Sequence, residues 1–289
     1  MNQTLKKYWL VILTFTLLVF TIWVFQLNSR ASNRVLTFAM LDVGQGDAIF
    51  IESPTGTQIL VDGGPPRKVL SHLAKLMPPF DRTIDAIIIT NPDQDHIGGF
   101  LDVLKAYKVG QVFEPGTFND SRTYQNLKNQ IKSKNIKETL AKGGMRLDIG
   151  GGAVIDILFP DRDVSTWTTN DGSVVGKLSY GETTVMLMGD STIETEKVVL
   201  AQTALSSLDS DMLKIGHHGS HTSTSLDFVK AVSPKYALIS SGKENRYGHP
   251  HNETLETLLI SGVEVLRTDI LGSIIMKSDG GEPTFSLQK

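Results

Sequence analysis

Ile87-Ile88-Ile89-Thr90-Asn91-Pro92-Asp93-Gln94-Asp95-His96-Ile97-Gly98-Gly99 is the stretch on which the reading of this chain turns. Ala86 to Thr90 is a short continuous apolar run, the mark of a strand buried on both faces. It opens directly into two carboxylates and one imidazole. Carboxylate and imidazole together ligate divalent metals, and crowding Asp93 against Asp95 without a cation is repulsive. Gly98-Gly99 lets the backbone turn closely into a following helix. The same residues also suit a helix N-cap in which Asp95 satisfies free N–H groups. Taken alone, the stretch does not choose between the two.

Three further clusters lie where apolar runs end: Leu60-Val61-Asp62-Gly63-Gly64, Leu187-Met188-Gly189-Asp190-Ser191 and Leu213-Lys214-Ile215-Gly216-His217-His218-Gly219-Ser220-His221; another, Tyr247-Gly248-His249-Pro250-His251, lies ahead of a helical pattern. Six of the seven histidines fall in the His-bearing clusters. His72, on an amphipathic helical pattern, reads as structural. Three strand exits thus supply carboxylate and imidazole, as a two-metal hydrolase requires.

The 289 residues suffice for a large core, and 40% hydrophobic with 20% charged residues describes a folded protein. The absence of Cys excludes a disulfide scaffold, a Cys-ligated zinc and thiol catalysis. A net charge of -3 excludes a strongly basic nucleic-acid binder, though not a local basic patch. Strand patterns at Val35–Leu41, Ala48–Glu52 and Gln58–Val61 lead into alternating helical and strand patterns. The reading is α/β (α+β), with two mixed sheets packed face to face and helices outside. Residues 121–142 read as a helical, Lys-rich insert. Its bland reading is a solvated face; its sharper one is steering of nucleic acid, which salt abolishes.

No charged side chain occurs from Tyr8 to Ser29, and Trp9 and Trp23 sit near the ends of that span. About 20 apolar residues match the hydrocarbon thickness at helical rise. The expectation is a single N-terminal transmembrane helix, contacting the membrane through residues 8–29, with the domain outside the cytoplasm. A cleaved signal peptide is the competing reading, but Ser29-Arg30-Ala31 is a poor cleavage site. Residues 1–29 are thus expected to be the anchor, 30–34 a polar linker and 35–289 the folded domain.

In this order the motifs resemble the metallo-β-lactamase superfamily. More narrowly, they resemble the C-terminal hydrolase domain of the ComEC competence-protein family. Leu41 to Ala48, Val61 to Gly64, Asn91 to Gly99, Asn170 to Ser173, Gly189-Asp190, His217 to Ser220 and Tyr247 to Pro250 carry the likeness. It implies an αββα metallo-β-lactamase sandwich with a binuclear hydrolytic centre at one edge, acting on a phosphodiester such as DNA. Carried over residue by residue, Asp95 and His96 bind the second metal, Asp190 bridges, and His249 completes the second site. Asn91 and Asp93 fall where the first metal's early ligands lie. Asp62 orients the cluster, and Asn170 stands nearest a missing His. Asp95, His217 and His218 are the catalytic candidates. His217 or His218 ligates metal or contacts phosphate, with the phosphate role favoured for His218. Ser220 and Asn245 are expected to contact substrate.

Two departures matter: Asn91 replaces the usual His, and no His lies between His96 and Asp190. The implied cofactors are two divalent ions, Mn²⁺ or Zn²⁺ with Mg²⁺ possible, or one ion in the second site alone. The implied partners are DNA and a separate competence channel protein. The favoured function is a membrane-anchored nuclease in DNA uptake. An extracytoplasmic esterase, such as a phosphorylcholine esterase or lactonase, and a degenerate DNA-binding module are the alternatives.

Overall fold

The computed structural model describes residues 3–32 and 35–288; in the first helix the side chains described are those of residues 8–22. Strands β1 (Leu36–Met40), β2 (Ile49–Glu52) and β3 (Gln58–Val61) run antiparallel. Strands β4 (Thr83–Ile88), β5 (Lys108–Glu114) and β6 (Lys137–Leu140) continue parallel to β3. A second sheet begins with antiparallel β7 (Arg146–Gly150), β8 (Ala153–Phe159), β9 (Val175–Tyr180) and β10 (Thr183–Leu187). It ends with β11 (Met212–Lys214), β12 (Tyr236–Ile239) and β13 (Glu264–Arg267), all parallel to β10. The chain then returns to the first sheet as β14 (Ser273–Ser278), beside β1, and β15 (Thr284–Gln288). The orders are β15-β14-β1-β2-β3-β4-β5-β6 and β13-β12-β11-β10-β9-β8-β7.

The helices are α1 (Gln3–Ser32), α2 (Val69–Leu76), α3 (Gln94–Ile97), α4 (Phe100–Ala106) and α5 (Arg122–Ser133) in the first half. The second half carries α6 (Ile193–Gln202), α7 (Leu205–Leu208), α8 (Leu226–Val232), α9 (Asn252–Ile260) and α10 (Thr268–Leu271). Side chains alternate between the faces of each strand, so one apolar strand feeds two cores. Ile59 and Val61 face the layer between the sheets, where Ile155, Leu178 and Leu187 meet them. Leu60 faces outward, against Leu73 of α2, Val103 of α4 and Leu127 of α5. On the other sheet Met186 and Leu213 face Val199 of α6, Phe228 of α8 and Leu258 of α9. The layers are therefore helix, sheet, sheet, helix, as the pattern predicts.

Three expectations change. The Lys-rich insert is helical only to Ser133; Asn135 turns left-handed (φ 54°), and the chain pairs along β5 as the edge strand β6. An edge of open backbone groups outweighs the weak strand propensity of Lys137 and Glu138. The polar linker begins inside α1, which extends to Ser32, while residues 33 and 34 lie outside the described residues. Among the described residues no helix is long and apolar enough to cross a membrane. The expected anchor coincides with α1, whose described side chains Tyr8 to Ile22 are exposed; residues 23–29 lie outside the described side chains.

The parallel strands end at one edge of the sandwich, where their loops interlock closely. Gly63 N–H donates to His96 O (2.6 Å) and Gly99 N–H to Gly64 O (2.8 Å). A Cβ on Gly99 would sit 2.0 Å from Gly63 O, a backbone atom that cannot swing aside. Gly99→Ala is therefore expected to lower stability by about 1–3 kcal/mol by overpacking, read as a drop in the thermal midpoint.

Candidate metal centre

Asp62 leaves β3 with a left-handed backbone (φ 56°) and is buried. Its Oδ1 accepts Thr90 N–H at 2.8 Å, and its Oδ2 accepts the Thr90 hydroxyl and lies 2.8 Å from His96 Nδ1. The carboxylate therefore fixes the proton of His96 on Nδ1 and turns the lone pair of Nε2 into the site. That Nε2 lies 3.0 Å from Asp190 Oδ2, yet completes no hydrogen bond.

His218 is arranged in the same way from the other sheet. Its Nδ1 lies 3.0 Å from Ser240 O, the carbonyl following β12. Its Nε2 faces Asp95 Oδ2 at 3.4 Å and Asp190 Oδ1 at 3.5 Å, again without a hydrogen bond. His217 and His218 both hold left-handed backbone (φ 45° and 53°), which is costly for non-glycine residues and carried here by the surrounding packing. Asp95 comes from α3 and Asp190 from the turn after β10.

Asp95, His96 and His218 bring three ligating atoms within 4.8 Å of one another, and so do Asp47, Asp190 and His218. Buried nitrogens and oxygens left without hydrogen bonds at this range are what a cation satisfies. Two imidazoles and two carboxylates form a donor set suited to Mn²⁺, Fe²⁺ or Zn²⁺ more than to Mg²⁺. The residues present therefore fit a divalent ion.

The other anticipated residues surround this centre. The His249 ring lies 5.4 Å from that of His217 and 6.3 Å from that of His218, with Nδ1 3.4 Å from Gln45 Nε2. It is beside the convergent groups and belongs to none of them. Asp93 is turned aside, accepting from Asn119 (2.7 Å) and Thr169 (3.0 Å). Asn91 Nδ2 donates to Asn170 Oδ1 at 2.8 Å. Ser220 is buried, and its Oγ accepts Thr222 Oγ1. Asn245 directs its amide to its own loop: Nδ2 donates to the Gly242 and His249 carbonyls, and Oδ1 accepts Tyr247 and His249 N–H. That makes it a positioning residue for His249.

Sequence reasoning assigned no role to Asp47 or Lys214. Lys214 is 1% exposed, ion-paired to Asp47, and donates to Gly189 O at 2.8 Å. Asp47 Oδ1 lies 3.4 Å from His218 Nδ1. The signal was legible: a lysine within the apolar strand Met212-Leu213-Lys214-Ile215 must have a buried partner.

Electrostatics follow from this crowding. Burial opposes the charge on His96, but the Asp190 and Asp62 carboxylates outweigh it and hold its pKa well above the usual value. Burial likewise opposes the charge on His218, and Asp190 and Asp47 push its pKa up to about 10. Burial raises Asp47, but Lys214 and His218 outweigh it and bring its pKa to about 2. His249 moves the other way, down to about 4, through burial and the neighbouring His218 and His217.

The family model described as "Metallo-beta-lactamase superfamily" matches residues 41–243. The chain belongs to the metallo-β-lactamase superfamily. Within it, the chain is 32% identical to ComE operon protein 3 of Bacillus subtilis over 265 residues, 86% of this chain and 34% of that protein. It is also 32% identical to Recombination protein 2 of Haemophilus influenzae, over 89% of this chain and 30% of that protein. The chain thus spans about a third of the length of these relatives. Among solved metallo-β-lactamase folds, YhfI from Bacillus subtilis has a TM-score of 0.57 at 15% identity, covering 84% of this chain and 99% of that one. Igni18, a metallo hydrolase of Ignicoccus hospitalis, has 0.54 at 14% identity, covering 88% and 100%. Both likenesses are of fold.

Ion uptake by this metallo-β-lactamase centre must displace protons. With raised pKa values, His96 and His218 are protonated at pH 7 in the ion-free protein, and only neutral imidazole ligates. Affinity for Mn²⁺ or Zn²⁺ is therefore expected to rise with pH through the neutral range towards about 10. Calorimetric titration in buffers of different ionisation enthalpy should show proton release. A pH-independent affinity without release contradicts the assignment.

Proposed function

We propose that this protein is a metal-dependent phosphodiesterase that cleaves DNA in DNA uptake. The observation that carries the reading is the convergence at one sheet edge of His96 Nε2, His218 Nε2 and Asp190 Oδ1, none of which completes a hydrogen bond, beside the Asp95 carboxylate. The competence-protein relatives support the uptake setting. A competence channel protein is the proposed partner in that setting.

In this reading Asp95, His96, His218 and Asp190 hold the ion, with Asp62 and the Ser240 carbonyl orienting the two imidazoles. His218 is thereby reassigned from phosphate contact to metal ligation. Such an ion would supply Lewis-acid polarisation of a phosphoryl oxygen and would lower the pKa of water at the centre. His249, neutral at pH 7, stands at the rim, braced by Gln45 and by Tyr247 stacked at 5.7 Å. Tyr247 is 48% exposed. Arg246 lies 4.7 Å from the centre of the Tyr247 ring, so an aromatic face and a cation share one lip of the site. That combination suits the base and phosphate of a nucleic-acid strand better than a small ester. Electrostatic steering by the insert has less support, because Lys128 is paired with Glu114 and Glu138.

The exposed apolar side chains of α1, from Tyr8 (68%) to Ile22 (51%), support membrane association through that helix. Recovery of the full chain with membranes is expected, and its recovery in the soluble fraction overturns the association.

The activity test incubates the full chain, in mild detergent, with labelled single- and double-stranded DNA under Mn²⁺, Zn²⁺, Mg²⁺ or chelator. Cleavage is expected with Mn²⁺ or Zn²⁺, and its loss with chelator. Asp190→Ala is expected to lower the rate by at least about a hundredfold, because it removes a ligand that also faces both imidazoles. Absence of cleavage with every metal sinks the nuclease reading.

A further inference from the structure

The two-ion arrangement implied by the superfamily resemblance needs a first ion held by Asn91, Asp93 and Asp190. Each of the first two is already engaged. Asn91 is fully buried; its Oδ1 accepts Asp93 N–H at 2.9 Å, and its Nδ2 donates to Asn170 Oδ1 at 2.8 Å. Both carboxylate oxygens of Asp93 accept hydrogen bonds, from Asn119 and Thr169.

The contacts continue beyond Asn91 as a chain with a single sense. Asn170 has its oxygen committed to Asn91, so its Nδ2 is the donor to His217 Nε2, 3.4 Å away. His217 then carries its proton on Nδ1, 3.0 Å from Thr222 Oγ1. Thr222 passes its own hydroxyl proton to Ser220 Oγ at 3.0 Å. Each link pairs one donor with one acceptor, and the lone pair of His217 Nε2 is taken by Asn170. On the other side of Asp190 the balance is opposite: His96 Nε2, His218 Nε2 and Asp190 Oδ1 complete no hydrogen bond. Among the described residues, the unsatisfied ligating atoms thus lie on the His96 and His218 side of Asp190; Asp47, also without a hydrogen bond there, is ion-paired to Lys214.

We infer that this centre takes a single divalent ion, at Asp95, His96, His218 and Asp190, and that the Asn91–Asn170–His217 relay stands in the place of the first ion. Each amide nitrogen in the relay has two N–H groups and uses one within it. Asn91 is fully buried, whereas the half-buried Asn170 can offer its second N–H, a neutral donor, to a phosphoryl oxygen where the two-ion arrangement presents positive charge. The inference rests on the metal-hydrolase reading for the presence of an ion, and not on the identity of the substrate.

The test is the number of ions bound. The full chain is loaded with Mn²⁺ or Zn²⁺, freed of excess ion, and measured by elemental analysis and native mass spectrometry. One ion per chain is expected, and the Mn²⁺ electron paramagnetic resonance spectrum should be that of an isolated ion. Asn91→Ala is expected to retain that ion, and His96→Ala to lose it. Two ions per chain, an exchange-coupled Mn²⁺ spectrum, or loss of an ion on Asn91→Ala overturns the inference while leaving a metal hydrolase intact. A chain that takes up no ion overturns the metal-hydrolase reading as well. Because the count and the spectrum are read on the wild-type chain, the result stands even where a variant folds poorly.

Discussion

The carboxylates of Asp47, Asp62, Asp95 and Asp190 meet at one edge of the sandwich, and low-dielectric surroundings tolerate such a gathering only with matching positive charge. Lys214, buried beneath them, supplies one cation and is held by Asp47 and the Gly189 carbonyl. The remaining excess draws protons onto His96 and His218 when no ion is present. A divalent cation can replace two protons with no change in total charge. The centre is therefore balanced electrostatically for exchange of protons against metal.

That balance requires atoms held in fixed directions, and the architecture supplies them. The parallel strands β3, β4, β10, β11 and β12 send their C-terminal ends to the same edge, so loops from both sheets face each other. Asp62 and the Ser240 carbonyl each take the Nδ1 side of one imidazole, leaving Nε2 to converge. Left-handed backbone at Asp62, His217 and His218 aims these side chains, at a cost that interlocking glycine-lined loops absorb. Gly46 shows how close the approach is: a Cβ there would lie 2.1 Å from the carbonyl oxygen of Asp95.

Relatives that share about a third of this chain's sequence positions carry it inside much longer proteins. In the described residues the sandwich is preceded by α1, whose side chains from Tyr8 to Ile22 are exposed and largely apolar. Among the described residues, none of α1 belongs to the convergent groups at the sheet edge.

The layered fold was legible in the sequence, because alternation within strands and Gly- or Asp-rich exits are local patterns set by the backbone's own periodicity. The β6 and β15 edge strands were not, since their pairing depends on neighbours distant in the chain and their sequences have weak apolar patterns. Asp62, Asp95, His96, Asp190 and His218 could be named from their positions at strand exits and from the family resemblance those exits carry. Their division of labour could not. Which nitrogen of His96 or His218 faces the site depends on Asp62 and on a carbonyl after β12, and sequence does not encode that meeting. The engagement of Asn91 by Asn170, the turning aside of Asp93 and the pairing of Asp47 with Lys214 are decided in the same way. Each needs atoms from separate loops to come within hydrogen-bonding distance, and only the packing of two sheets brings them there.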